Sequence, residues 1–294
     1  MNRCGIVTLA GRPNAGKSTL LNRLIGERLA LTSPKAQSTR ARVVGILTDD
    51  ATQLVFLDTP GLIEPADALH HTMRAASRRA LRDADVIVHL WDASAGPPPS
   101  LWAEAAWDGE PPSTTIVTAL NKTDALSPAA RHFLTADFPH AALISGKTGD
   151  GVDELIARLR TLVPAGDFLY PADDVSTQNL RFFVAEMIRE TALEELDDEI
   201  PHAVACVVEE FRESKTPVYI RAVLYVERDS QKKIVIGTGG ERVRTIGQRS
   251  RAKIEPLVGG QVFLDLWVKV LPNWRRDAAA LRRLGYAPSE DQAR

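Results

Sequence analysis

The chain has 294 residues, 44% of them hydrophobic and 25% charged, with a formal net charge of −2. That balance excludes a disordered or fibrous chain and is enough for two globular domains. No basic stretch followed by an apolar run opens the sequence, and no segment approaches the roughly 18 to 20 apolar residues of a membrane span, so a cytoplasmic protein is expected. Cys4 and Cys206 stand far apart beside β-branched residues and read as buried free thiols, and the six scattered histidines offer no zinc-ligand spacing.

In chain order, the first element is the apolar run GIVTLA at residues 5–10, then GRPNAGKST, then TLLNRLIG with apolar residues at helical spacing. This is strand, glycine-rich loop, helix. The loop comprises Gly11, Arg12, Pro13, Asn14, Ala15, Gly16, Lys17, Ser18 and Thr19, and it matches the G-x-x-x-x-G-K-[ST] pattern whose backbone N–H groups and helix N-terminus face nucleotide phosphates. Lys17 is expected to neutralise the β- and γ-phosphates and Ser18 to ligate Mg²⁺. ARVVGIL reads as an edge strand. QLVFLDTPG then ends a strand in Asp58, placed to hold Mg²⁺ through water, with Gly61 leaving room for its N–H to reach the γ-phosphate. The next residue is Leu62, where small GTPases carry a water-orienting glutamine. Leucine neither donates nor accepts a hydrogen bond, so the help must come from elsewhere.

VIVHLWD, TIVTAL and AALIS follow as apolar strands alternating with helical stretches, the rhythm of an open α/β sheet. TIVTAL runs into Asn121, Lys122, Thr123 and Asp124. A carboxylate at Asp124 accepts from both N1–H and the C2 amine of guanine, whereas adenine presents an acceptor at N1 and no amine at C2, so GTP is chosen over ATP. Lys122 lays its stem along the base, and Asn121 ties this loop to the phosphate loop.

PAGDFLYPADD, rich in proline and acidic residues, reads as a linker, dividing the chain into 1–165, a linker at 166–176, and 177–294. RFFVAEMIRETALEELDDEI has helical spacing, AVACVVEEF and PVYIRAVLYVERD read as a hairpin, and KKIVI is a strand or helix end running into Gly237, Thr238, Gly239 and Gly240. A basic helix and the strand QVFLDLWVKV complete the order. Residues 171–230 hold 14 acidic and 6 basic side chains, while residues 231–283 hold 12 basic and 4 acidic, which points to a polyanionic partner. Glycines spaced G-x-x-G let a sugar-phosphate backbone pass closely, and an apolar groove beside them, including Ile236, takes unstacked bases, as in KH domains.

These segments resemble the Era family of translation-factor-related GTPases, and FFVAEMIRE, IGTGGERVRTIG and LWVKVLPNWRRDAAALRRLGY extend the resemblance over essentially the whole chain. It implies an α/β P-loop GTPase domain with a mixed, mostly parallel sheet, followed by a smaller α+β type II KH domain. It implies further that AQSTRARVVGI is the first switch, with Thr39 on Mg²⁺ and the γ-phosphate, and that Ser145, Gly146 and Lys147 form the guanine-contacting loop. The family usually has alanine in place of Gly146 and a basic residue in place of Thr238, for which Arg242 and Arg244 are the candidate substitutes. Lys17, Thr39, Gly61 and Asn14 become the catalytic set, Asn14 by holding K⁺, since related GTPases with this asparagine depend on potassium. By the same resemblance the protein hydrolyses GTP to GDP and phosphate, binds the 3′ end of small-subunit ribosomal RNA, and promotes maturation of the small ribosomal subunit as a monomer. The arginine-rich stretch at residues 274–284 reads as a solvated packing helix, with weak peripheral binding to the inner face of the membrane as the alternative. Two rival functions are a passive RNA-binding scaffold that carries GTP as a structural ligand, and a transfer-RNA-acting relative.

Overall fold

In the N-terminal half the apolar runs become strands lying side by side: β1 (Arg3–Ala10), β2 (Val43–Thr48), β3 (Thr52–Asp58), β4 (Val86–Asp92), β5 (Thr115–Asn121) and the short β6 (Ala142–Leu143). This computed structural model describes residues 1–33, 35, 38–197 and 199–286. The strands hydrogen-bond in the order β2-β3-β1-β4-β5-β6. All pairs are parallel except β2 with β3, so ARVVGIL is an antiparallel edge strand as expected. AALIS yields only two residues of strand, although Ile144 continues the pairing by donating to the Leu120 carbonyl at 2.9 Å.

Helices α1 (Lys17–Ile25), α2 (Ala68–Asp83), α3 (Leu101–Glu104) and α4 (Pro128–Asp137) connect these strands, and α5 (Val152–Leu162) follows β6. The period of two along a strand decides which helix meets which residue. On β2, Gly45 lies so close to α1 that an added Cβ would sit 2.8 Å from Leu21 and Ile25, while Val44 and Ile46 point the other way and pack with Ala80 of α2. On β1, Gly5 similarly abuts Val163 after α5, and Ile6 faces the α2 side. The sheet is therefore covered on both faces, which is why β1 and β3 are buried almost throughout.

The proline-rich segment after α5 is laid along the β2 edge. Fully buried Gln53 of β3 accepts from the N–H groups of Leu169 and Tyr170 at 2.8 and 3.0 Å and donates to the Tyr170 carbonyl at 2.8 Å. Ile46 N–H donates to Val175 at 2.9 Å, and Ser176 donates to Val44 at 2.5 Å. Met1–Pro65 with His70–Thr177 form one compact unit; Ala66–Leu69 and the chain from Gln178 onward form the second.

In the second unit the order is α6 (Leu180–Glu195), α7 (Ile200–Ala203), β7 (Ala205–Arg212), β8 (Val218–Val226), α8 (Asp229–Ile236), α9 (Glu241–Val258), β9 (Val262–Val270) and α10 (Ala278–Arg283). KKIVI belongs to α8 and is helix, not strand. The sheet order is β7-β8-β9, with β7 antiparallel and β9 parallel to β8. A parallel neighbour needs a crossover, and α8 with α9 supplies it. Val184, Ile188 and Ala192 of α6, Ile246 and Ile254 of α9, and alternate residues of β8 from Ile220 to Val226 make one core. Cys4 and Cys206 are both buried and free.

The two oppositely charged blocks of sequence meet here. Lys253 of α9 lies 3.1 Å from Glu190 and 2.7 Å from Glu194 of α6, and Arg249 pairs with Glu194 at 2.9 Å and with Glu195. Part of the positive block is thus neutralised within the unit, and a count of charges along the sequence overstates what remains for a polyanion. At the C-terminal end Trp274 is fully buried, donates to the Ala203 carbonyl at 3.0 Å and stacks on Tyr286.

Candidate nucleotide-binding site and RNA groove

The phosphate loop between β1 and α1 is shaped by residues that tolerate positive φ. Gly11 stands at φ 147° with the Leu90 carbonyl 2.2 Å from where a Cβ would lie, and Gly16 stands at φ 98° with Asn121 Nδ2 at 2.3 Å. No side chain fits at either position. Asn14 is also left-handed, at φ 62°. Lys17 is 5% exposed and donates to the carbonyls of Gly11 and Arg12 at 3.1 and 2.9 Å. Burial pushes its pKa down, opposed by the negative charges of Asp58 and Glu104, so the ammonium is short of counter-charge of the kind a polyphosphate supplies. Asn14, Gly16, Lys17, Ser18, Thr39 and Gly61 line one cavity together with Pro13 and Thr19. Of the loop, Gly11, Arg12 and Ala15 do not line it. Ala36 and Gln37 of the expected first switch lie outside the described residues.

Three oxygens converge at the end of that cavity. Ser18 Oγ donates to Asp58 Oδ2 at 2.7 Å and lies 2.8 Å from Thr39 Oγ1. Asp58 is fully buried, its Oδ1 accepts no hydrogen bond, and burial raises its pKa to about 6. A buried carboxylate beside two hydroxyls, with one oxygen unsatisfied, suits a small hard cation, and these donors fit Mg²⁺. Gly61 approaches the phosphate loop so closely that a Cβ would meet Pro13 N at 2.6 Å.

The base side is built from three segments. Asn121, at the end of β5, donates to the Ala15 carbonyl at 2.8 Å and accepts from Gly146 N–H at 2.9 Å, locking the phosphate loop to the Ser145 loop. Asp124 Oδ1 accepts from Ser145 Oγ at 2.7 Å. Lys122, at φ 67°, reaches Asp92 at 2.8 Å. A methyl on Gly146 would come within 3.3 Å of the Leu20 backbone, so glycine relieves a tight contact here. Arg23 of α1 donates to the Lys147 carbonyl at 2.5 Å; this support lies 124 residues away in sequence and has no local signal.

In the second unit Gly237 caps α8 at φ 75° and abuts Arg242, whereas Gly239 and Gly240, at φ 59° and 80°, have open space around them. The groove beside them is lined by Lys233, half-exposed Ile234, Gly237, Thr238, Arg242 and Thr245, with Glu195 and Glu241. Of the two expected substitutes for a basic loop residue, Arg242 lines the groove and Arg244 does not. Lys233, which sequence reasoning missed, does. Ile236 packs against the core rather than lining the groove.

Residues 6–122 match the model of the 50S ribosome-binding GTPase family and residues 199–275 that of the KH domain. GTPase Era of Lactobacillus delbrueckii subsp. bulgaricus is 39% identical over 98% of both chains. The chain belongs to the Era family of GTPases. Two solved Era structures cover nearly all of it at 35% identity and TM-score 0.90: a point variant from Aquifex aeolicus bound to GDP·AlF4−, covering 97% of this chain and 100% of that one, and a complex with MgGDPNP and nucleotides 1506–1542 of 16S ribosomal RNA, covering 98% and 100%.

For an Era-family site, the residue after Gly61 holds the remaining question. The Leu62 side chain does not face the phosphates. It is 6% exposed in a cluster with Ala10, Leu81, Ile87 and Leu101, and its N–H donates to the Gly11 carbonyl at 3.1 Å. Leu62 is therefore a core residue that anchors the segment after β3. Leu62→Ala should lower unfolding stability by about 2–4 kcal/mol, as expected for a buried leucine, while the folded fraction keeps its hydrolysis rate within about threefold. Thermal melts run beside initial-rate assays check both, and a large rate loss without destabilisation would show that the side chain acts on the reaction.

Proposed function

We propose that this chain is a GTP-hydrolysing assembly factor that binds the 3′ end of small-subunit ribosomal RNA and promotes maturation of the small ribosomal subunit. It joins a GTPase unit, residues 1–165 with a linker at 166–176, to an RNA-binding KH unit from residue 177. The observation that supports this reading is the pairing of phosphate-loop, metal-ligand and base-loop residues with a G-x-x-G groove, in a chain matched over 98% of its length by an Era structure holding both MgGDPNP and ribosomal RNA.

In the reaction, a water oxygen bonds to the γ-phosphorus as the bond to the β–γ bridging oxygen breaks, leaving GDP and phosphate. Lys17 and the Gly61 N–H stabilise charge on the β- and γ-oxygens. Ser18, Thr39 and Asp58 would hold Mg²⁺, which would supply positive charge against the phosphate oxygens. Asp124 reads guanine, with Asn121, Lys122, Ser145, Gly146 and Lys147 shaping its loop. With Leu62 turned into the core, the exposed Asn14 of the phosphate loop would be the residue to hold K⁺, which would supply the positive charge that an arginine finger brings elsewhere. The protein works as a monomer. Among the described residues no helix is long and apolar enough to cross a membrane. Within residues 274–284, peripheral association would rest on exposed Arg276, Arg282 and Arg283, because Trp274, Leu281 and Leu284 are buried.

Phosphate release tests this reading. Turnover should be multiple, should be faster in K⁺ than in Na⁺ at equal ionic strength, and should lose that difference in Asn14→Ala, because Na⁺ is too small to meet all the oxygens of a fixed site. Release of one equivalent or less would favour the passive scaffold. Equal rates in the two salts would remove K⁺ and point to a partner, and tighter binding to transfer RNA than to a 3′-end fragment would favour the transfer-RNA-acting relative.

A further inference from the structure

Against the phosphate loop lies a group of polar side chains, two of them buried, that the reaction above does not use. The side chain of Glu104, the last residue of α3, is 3% exposed, and its Oε2 lies 2.9 Å from Nε2 of His89, whose side chain is equally buried on β4. A carboxylate only accepts, so the imidazole donates through Nε2. The other oxygen, Oε1, lies 2.7 Å from Arg12 Nε. That contact joins two charges without an aligned hydrogen bond, since Oε1 accepts none. The Arg12 guanidinium also sits 4.8 Å from the centre of the Trp91 ring. The phosphate loop, α3 and β4 are thus tied at one point.

An ion pair with a 60% exposed arginine is ordinarily worth little. Here the partner carboxylate is desolvated and held by a buried imidazole, so the pair has a fixed direction and loses less to water. What it fixes is the start of the phosphate loop. Arg12 is one of the two residues whose carbonyls hold the Lys17 ammonium, and the other, Gly11, is already clamped by the Leu62 N–H at 3.1 Å and by the Leu90 backbone. The field of Glu104 also reaches Lys17 and favours its charged form.

We propose that Glu104, oriented by His89, is a positioning residue for GTP hydrolysis: it holds Arg12 so that the Arg12 carbonyl sets the place of the Lys17 ammonium against the β- and γ-phosphates. Arg12 then serves the nucleotide through its backbone, and its side chain serves the loop. Neither Glu104 nor His89 touches the reacting atoms. Their effect travels through one residue, which makes the idea separable from a simple contribution to folding.

The test is a double-mutant cycle on the full chain, read as kcat and KM for GTP under saturating Mg²⁺, with melting temperature recorded for each variant. Arg12→Ala removes an exposed side chain and should fold normally. It and Glu104→Gln should each lower kcat by about tenfold, the scale of sub-ångström misplacement of a catalytic group, with KM changing by less than about threefold. The double variant should lose no more than either single one, because both break the same link. His89→Gln keeps a donor toward Glu104 and should retain most of the rate, whereas His89→Leu should fall to the level of Glu104→Gln. An unchanged kcat in Arg12→Ala, losses that multiply to about a hundredfold in the double variant, or rates that track melting temperature alone would each overturn the proposal.

Discussion

Asp124→Asn should lower GTP affinity by about 100- to 1000-fold while improving the relative binding of xanthosine triphosphate. The carboxylate sits in the turn after β5, oriented by Ser145 Oγ at 2.7 Å, in a loop fastened by Asn121 to Ala15 and Gly146. That rigidity makes the substitution informative, because the amide must occupy the same place. Guanine presents two donors, N1–H and the C2 amine, and each hydrogen bond to a charged acceptor contributes about 1.5–3 kcal/mol. An amide keeps one acceptor and sets its own N–H against the second donor, so one bond is lost and a buried donor is left unpaired. Losses of about 3–4 kcal/mol convert to the stated fold-change. Xanthine carries an oxygen at C2 and turns the mismatch into a match. Competition against a fluorescent guanine nucleotide reads both effects, and an unaltered preference for GTP over the xanthine nucleotide would remove Asp124 from the base site.

Gly239→Asp should weaken binding of single-stranded 3′-end RNA by about 30- to 100-fold and leave GTP hydrolysis unchanged. Gly239 stands at φ 59° with no atom within 4 Å of an added Cβ, a left-handed geometry that aspartate tolerates at a cost of about 1 kcal/mol. The unit should therefore fold, and under the proposed function the new carboxylate would stand beside the groove, in the path expected for the sugar-phosphate backbone. At roughly 5 Å and an effective dielectric near 20, repulsion from one phosphate is about 3 kcal/mol before screening by salt. Gly237 would be a poor choice for the same experiment, since a Cβ there meets Arg242 at 2.8 Å and at φ 75°, so loss of binding would be confused with loss of structure. Wild-type affinity should also fall with salt, with Lys233 and Arg242 as the groove cations that release counterions. Equal retention of RNA by variant and wild type on a filter would place the RNA elsewhere on the unit.

Sequence by itself determined the elements whose cause is local. The phosphate loop was legible because Gly11 and Gly16 are demanded by backbone conformations within nine residues of chain, and the G-x-x-G turn because Gly237, Gly239 and Gly240 all take positive φ. The edge strand β2 and the hairpin β7-β8 followed from short apolar, β-branched runs with short connections. KKIVI was ambiguous because five residues of mostly apolar chain suit a strand or a helix equally, and only packing of Val235 into the core decided for helix. Tertiary structure alone decided which distant groups meet. Leu62 beside Gly61 read as a missing catalytic group until the cluster with Leu81, Ile87 and Leu101 showed it buried. The partner that Arg12 finds in Glu104 of α3 has no local signal, and the positive block of α9 read as free charge until α6 met Arg249 and Lys253 with glutamates. The physical reason is common to all of these. Backbone preference and hydrophobic period are properties of a few consecutive residues, whereas the partner of a side chain is set by which strands and helices the sheet order places next to one another, and that order is a free-energy minimum of the whole unit.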